Sequence, residues 1–309
     1  MSAVLLGVLS AGVGWRLWRD RHDRDLLFTH LPAEHLALVY VDVDRLRQAS
    51  SLAPVVRSRV EPDPDYAAFV KQTGFDYQRD LDAAAACYLA DRIYLVARGR
   101  FDAVKLRNFA IGQGGSCAAA DLGEPCSMPA SQPGRRLSFL LAASNLLVLA
   151  NAPEADAARQ VAVEMRPSAE PLAKEVESSE PGALLWATAT PASLEQAMNG
   201  TAGNSPNIGL ASRAFSGAQR VYLLLADQSP NLQITLKAVC SSDAQAAEMR
   251  RLLQGLNDMV ASLAGGFRGR SDANPWAKVL AGGAIRQERA TVRATWMVDR
   301  GALESLASR

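Results

Sequence analysis

The chain has 309 residues, with 33 basic against 32 acidic side chains, 49% hydrophobic residues and only 6% aromatics. That length and apolar content suit one large or two ordinary domains. The balanced charge excludes the basic excess that marks nucleic-acid binders, and no nucleic-acid partner is expected.

The first eighteen residues, MSAVLLGVLSAGVGWRLW, are apolar almost throughout. As a helix they reach roughly 27 Å, close to a hydrocarbon core. Trp15 and Trp18 fall where an interfacial aromatic belt belongs, and Arg16 can snorkel outward between them. A secretory signal peptide needs a basic n-region and a small-x-small cleavage site, and neither is evident. A buried helix packed on a core would show an amphipathic period, and none is present. Residues 1–18 therefore read as a single-pass membrane anchor and 19–30 as a polar juxtamembrane linker. Arg16, Arg19, Arg21 and Arg24 follow the span, which by the positive-inside rule points the body to the cytoplasm, although Asp20, Asp23 and Asp25 interleave with them.

From residue 31 the pattern is strands and helices. HLALVYVDV (35–43) predicts a buried strand, with Asp44 capping the helix that follows. YAAFVKQTG predicts a helix ended by Gly74. AAAACYLADRIYLVARGRF (83–101) predicts a hairpin, and Asp102 caps a helix ending at Gly112. RRLSFLLAASNLLVLANA (135–152) predicts a second hairpin turning at Ser-Asn, followed by a helix after Pro153. A polar, proline-rich join occupies 166–182.

The same order then recurs. ALLWATA (183–189) predicts a strand, Thr190 a cap and Pro191 a first-turn proline. RVYLLLADQSPNLQITLKAVC (220–240) predicts a hairpin, and Ser242 or Asp243 caps a long helix. A polar-faced strand pair at 284–298 precedes a last helix capped by Asp299. Two halves, 31–165 and 183–309, each read β-α, ββα, ββα. The expectation is a duplicated α+β fold of antiparallel sheets with helices on one face.

Cys117 and Cys126 sit nine apart in GGSCAAADLGEPCSMPASQPG, a Gly- and Pro-rich stretch that reads as an exposed loop. A disulfide there would persist only in an oxidising compartment. Two unpaired thiols or a metal site are the rivals, but the spacing is not Cys-x-x-Cys. The three histidines, His22, His30 and His35, all lie near the anchor. An anchor followed by a disulfide predicts an inner-membrane protein whose body faces the periplasm or exterior. Cys87 and Cys240, in apolar strand text, read as core residues.

Motifs for chemistry are absent. GQGGSC fails the dinucleotide fingerprint, and no P-loop, His-Glu-x-x-His or Gly-x-Ser-x-Gly occurs. No cofactor or metal is expected, and no catalytic residue is assigned. Asp42 with Asp44, and Asp80 with Asp82, are carboxylate pairs at two-residue spacing, read first as caps and ion pairs. Arg98 and Arg100 share one side of a strand and are candidates for an anion or partner contact.

ARGRFDAVKL, the segments GGSC and CSMPASQPGRRLSF, and LPAEHLALVYVDVDRLR after the anchor resemble uncharacterised membrane-anchored bacterial proteins with no assigned activity. The resemblance implies no substrate or cofactor. The expected function is binding or assembly, as an accessory subunit of an envelope complex with an envelope protein as partner. The alternatives are an extracytoplasmic carboxylate-based enzyme and a carrier of an apolar ligand.

Overall fold

The computed structural model describes residues 26–32, 34–53, 63–119, 123–164, 183–194, 215, 217–266 and 275–307. The expected anchor, with Trp15, Arg16 and Trp18, and the join at 166–182 lie outside the described residues. Among the described residues no helix is long and apolar enough to cross a membrane.

The chain runs β1 (Ala37–Asp42), α1 (Val43–Gln48), α2 (Pro64–Thr73), α3 (Tyr77–Asp80), β2 (Leu81–Tyr88), β3 (Ile93–Gly99) and α4 (Ala103–Gly112). Then come β4 (Ser116–Cys117), β5 (Cys126–Pro129), β6 (Arg136–Ala143), β7 (Leu146–Ala152), α5 (Ala157–Glu164) and β8 (Ala183–Ala189). The rest is β9 (Ala218–Gln228), β10 (Asn231–Cys240), α6 (Asp243–Gly266), α7 (Pro275–Ala281), β11 (Ala284–Glu288), β12 (Thr291–Val298) and α8 (Arg300–Ala307). The fold is α+β with antiparallel sheet, and the hairpin-helix units β2-β3-α4 and β6-β7-α5 are matched in order by β9-β10-α6 and β11-β12 with α8.

Local chemistry explains most boundaries. Asp102 Oδ1 accepts from Lys105 N at 3.0 Å and starts α4. Asp299 Oδ1 accepts from Ala302 N at 2.9 Å and starts α8. Ser242 Oγ accepts from Gln245 N at 3.3 Å at the head of α6. Each satisfies an amide that the first helical turn leaves without a partner. Gly74, at φ +73°, ends α2 in the left-handed region that β-carbons disfavour. One cap differs from expectation. Asp42, not Asp44, caps α1, accepting from Arg45 N at 2.9 Å, because the helix begins at Val43, the last residue of the predicted strand.

Contacts divide the chain into two units, Met1–His35 with Pro64–Ser178, and Leu36–Asp63 with Ser179–Arg309. The second unit therefore holds β1, which the sequence order places in the first half. The reason is its ladder with β8, running from Ala37↔Ala189 to Val41↔Leu185.

In the first unit the strand order is β2-β3-β7-β6-β5-β4. Leu95, Ala97, Leu147, Leu149 and Phe139 face Leu106 and Ala110 of α4. Phe69 of α2 meets Phe109 edge-on, with ring centroids 5.1 Å apart. On the other face, α5 is pinned where Ala158 N donates to Ser138 Oγ at 3.1 Å. Leu27, Phe28 and Leu31 are fully buried in this unit, each contributing about 1.5–3 kcal/mol by leaving water.

In the second unit the order is β11-β12-β10-β9-β8-β1. Period-two alternation sorts its residues cleanly. Leu232, Ile234, Leu236, Ala238 and Cys240 of β10 share one face, as do Val292, Ala294, Trp296 and Val298 of β12, their cross-strand partners or near neighbours. Against them pack Met249 of α6, Val279 of α7, and Ala302 with Leu303 of α8. Trp276 of α7 packs against the cluster of Val279 and Val298.

Candidate partner-binding surfaces

The cysteine segment is not a free loop. Cys117 and Cys126 stand directly opposite each other on β4 and β5 and form a disulfide, with Cα atoms 4.0 Å apart. Gly115 makes this possible. A β-carbon there would lie 2.7 Å from Ala110 O and 2.8 Å from Met128 Cβ, so only glycine lets the chain leave α4 this close to β5. Cys126 is only 2% exposed and belongs to the core beneath α4. Sequence reading found the bond but missed the strands, because two residues carry no period. Cys87 and Cys240 are free and buried, and burial alone pushes the Cys87 thiol up to about 12.

Around Asp80 the first unit gathers two arginines and a backbone amide. Arg79 reaches it with Nη2 at 2.9 Å from Oδ2 and Nε at 3.2 Å from Oδ1. Arg100 donates from Nη2 at 3.1 Å and Nε at 3.2 Å. Asp76 N donates to Oδ2 at 2.9 Å. The Arg79 hydrogen bonds pull this carboxyl down to about 2, against the opposing effect of burial, and Asp76 N and Arg100 add to the pull. Nearby, Tyr66 donates to Asp76 Oδ1 at 2.9 Å, and burial followed by that hydrogen bond pushes its hydroxyl up to about 12.

This arrangement ties α3 to the end of β3 and is unsuited to proton transfer at neutral pH. Arg100 N donates to Asp80 O at 2.8 Å, and Gly99 passes directly against that carbonyl. Of the two predicted contact residues, Arg100 is thus engaged by the chain's own Asp80. Arg98 is half-buried in β3, in register between Ala83 and Leu146. Asp82 falls in the bulge between Leu81 and Ala83. Asp42 pairs with Arg45 at 3.3 Å and Asp44 with Arg47 at 3.1 Å. The predicted carboxylates therefore do not converge on one another. Among the described residues no group of three or more His, Cys, Asp or Glu is placed to hold a metal ion.

The second unit carries a surface that sequence reading missed. On the sheet face opposite its helices, Arg286 of β11 pairs with Arg293 of β12, and Arg293 pairs with Lys237 of β10. Lys237 in turn pairs with Tyr222 of β9 and lies over its ring, 5.0 Å from the centroid. Arg220 is on the same face, two residues before Tyr222. Arg286 and Arg293 are exposed, and Lys237 and Arg220 are half-buried. Towards β8 the same face is buried, with Trp186 and Thr188 each 1% exposed. The signal was the alternation of Arg286, Glu288, Thr291 and Arg293. Only the strand register shows that the cations align.

No family model and no curated protein matches the chain. Solved structures do match. One titled "Structure of crystal form IV of TP0453" has a TM-score of 0.50 at 11% identity, covering 91% of this chain and 94% of that one. "Structure of crystal form I of TP0453" has a TM-score of 0.48 at 10% identity, covering 91% of this chain and 96% of that one. At this identity the likeness is one of fold alone.

Proposed function

We propose that this is a membrane-anchored extracytoplasmic protein with a binding or assembly role, an accessory subunit of an envelope complex. It would sit in the inner membrane through residues 1–18, kin to the bacterial proteins its motifs resemble. The observation that carries the reading is the Cys117–Cys126 bond, since such bonds persist in oxidising compartments and are rare in reducing ones. The engagement of Asp42, Asp44 and Asp80 by caps and arginines supports binding over carboxylate catalysis.

The test is thiol labelling of intact spheroplasts with a membrane-impermeant reagent, with and without prior reduction. Labelling that needs reduction, and that falls in Cys117→Ser, is the expected result. Thiols labelled without reduction, and only after lysis, would move the body to the cytoplasm and overturn the reading.

A further inference from the structure

The sheet of the second unit ends on β11, and among the described residues no strand lies beyond it. The ladder fixes which backbone groups of β11 face outward. Cys240 N donates to Ala290 O, so the amides and carbonyls of 290, 292 and 294 point to β10, and those of 291, 293 and 295 point to β11. Glu288, Arg286 and Ala284 stand opposite these last three and answer them. Ile285 and Gln287 therefore turn their N–H and C=O groups to the open edge. Sheets usually blunt such an edge with proline, a bulge or lysines. The strand β11, AIRQE, contains no proline, and its ladder with β12 runs without a shift of register. Its exposed side chains, Ala284, Arg286 and Glu288, carry both signs of charge. Among the described residues neither Arg286 nor Glu288 has an ion-pair partner, and the residue opposite Arg286 on β12 is another cation, Arg293.

We propose that β11 pairs antiparallel with β11 of a second copy of this chain, in the register that sets Gln287 opposite Gln287. This deepens the assembly role proposed above and rests on it. The charges choose the register. An antiparallel pair sets outward groups against outward groups, so the useful two-fold axes pass through Ile285, Arg286 or Gln287. An axis through Arg286 puts two arginines face to face, which destabilises a sheet. An axis through Ile285 leaves Arg286 opposite Ala284 and Glu288 unmatched. An axis through Gln287 sets Arg286 opposite Glu288 twice, once on each side. These are non-hydrogen-bonded positions, where Cα atoms approach to about 4.5 Å, and opposite charges there stabilise the pairing. Between them the two Gln287 residues exchange N–H···O bonds through the groups that face the open edge. Arg286 then gains a carboxylate on its open side, where its own sheet offers it only Arg293. The edge is thus complementary to itself in both backbone groups and charge.

The experiment uses the full chain in detergent with Gln287→Cys, oxidised and read as covalent dimer on a non-reducing gel. Residues paired at that position stand about 5.5 Å apart at Cα, within reach of a disulfide. Cys87 and Cys240 are buried and do not compete. The dimer is expected to form at least about tenfold faster than with Arg251→Cys, an exposed position on α6, because pairing raises the local thiol concentration. In the Gln287→Cys background, Arg286→Glu alone and Glu288→Arg alone should each slow it at least about tenfold, since either reversal turns both ion pairs into repulsions. Mixing these two variants should restore the dimer, as each supplies the charge that the other has lost, and restoration also shows that both are folded. A dimer no faster than the Arg251→Cys control overturns the proposal, and so does one indifferent to both reversals or a mixture that stays slow. Faster cross-linking through Ile285→Cys or Arg286→Cys would put the axis elsewhere and overturn it too. Thiol labelling of spheroplasts reads compartment and not pairing, so the two readings fail separately.

Discussion

Replacing Asp80 by Asn keeps the side chain's shape and removes the charge on which Arg79 and Arg100 converge. The Asp80 side chain is 10% exposed, whereas both arginine side chains are 65% exposed and their guanidiniums return to water when the carboxylate is lost. The cost is therefore set by the carboxylate and not by stranded cations. A carboxyl that ionises near 3.8 when unfolded and near about 2 when folded contributes about 2.5 kcal/mol at neutral pH. Because the folded value is the lower one, that contribution is complete above the unfolded value. It is about halved by pH 3 and largely lost as pH falls through about 2. The difference between wild type and Asp80→Asn should follow the same curve. Hydrogen exchange read by mass spectrometry over the peptides spanning 74–101 measures it, since Asp76 N and Arg100 N are both protected through Asp80. A difference that stays constant from pH 7 to pH 3 would refute the reasoning, because it would mean that shape and not charge holds the tie.

The Cys117–Cys126 bond closes a loop with a sequence separation of 9, which should stabilise the first unit by about 2.5–3 kcal/mol through the unfolded chain. Urea unfolding with and without reductant checks this, and the Cys117→Ser, Cys126→Ser double variant should no longer respond to reductant. Gly99→Ala sets a β-carbon against Asp80 O and 3.2 Å from Leu81 Cα, both backbone atoms that cannot swing aside. It should cost about 1–3 kcal/mol, seen as a lowered Tm, and an unchanged Tm would show that the bulge yields. Cys87, whose thiol burial pushes up to about 12, should resist alkylation at pH 8 until denaturant opens the first unit. Rapid native labelling would contradict its fully buried place.

Where the controlling contact lies within a few residues, the sequence alone determined the structure. Asp102, Ser242 and Asp299 start helices by accepting amides three residues on, and Gly74 ends one through its own backbone angle. The hairpins at β2–β3, β6–β7 and β9–β10 follow from apolar runs broken by polar turns, so the α+β class was legible. The disulfide was legible for a related reason, since two cysteines nine apart can meet without any distant part of the chain. Tertiary structure alone decided what depends on residues far apart in sequence. It moved β1 into the second unit by pairing it with β8, where Leu38 stands opposite Thr188, 150 positions later, in a ladder that no local pattern encodes. It gave Arg100 to Asp80, 20 positions back, rather than to an outside anion. It aligned Arg293 with Lys237 by register, and a slip of one residue would have turned every one of those cations into the core.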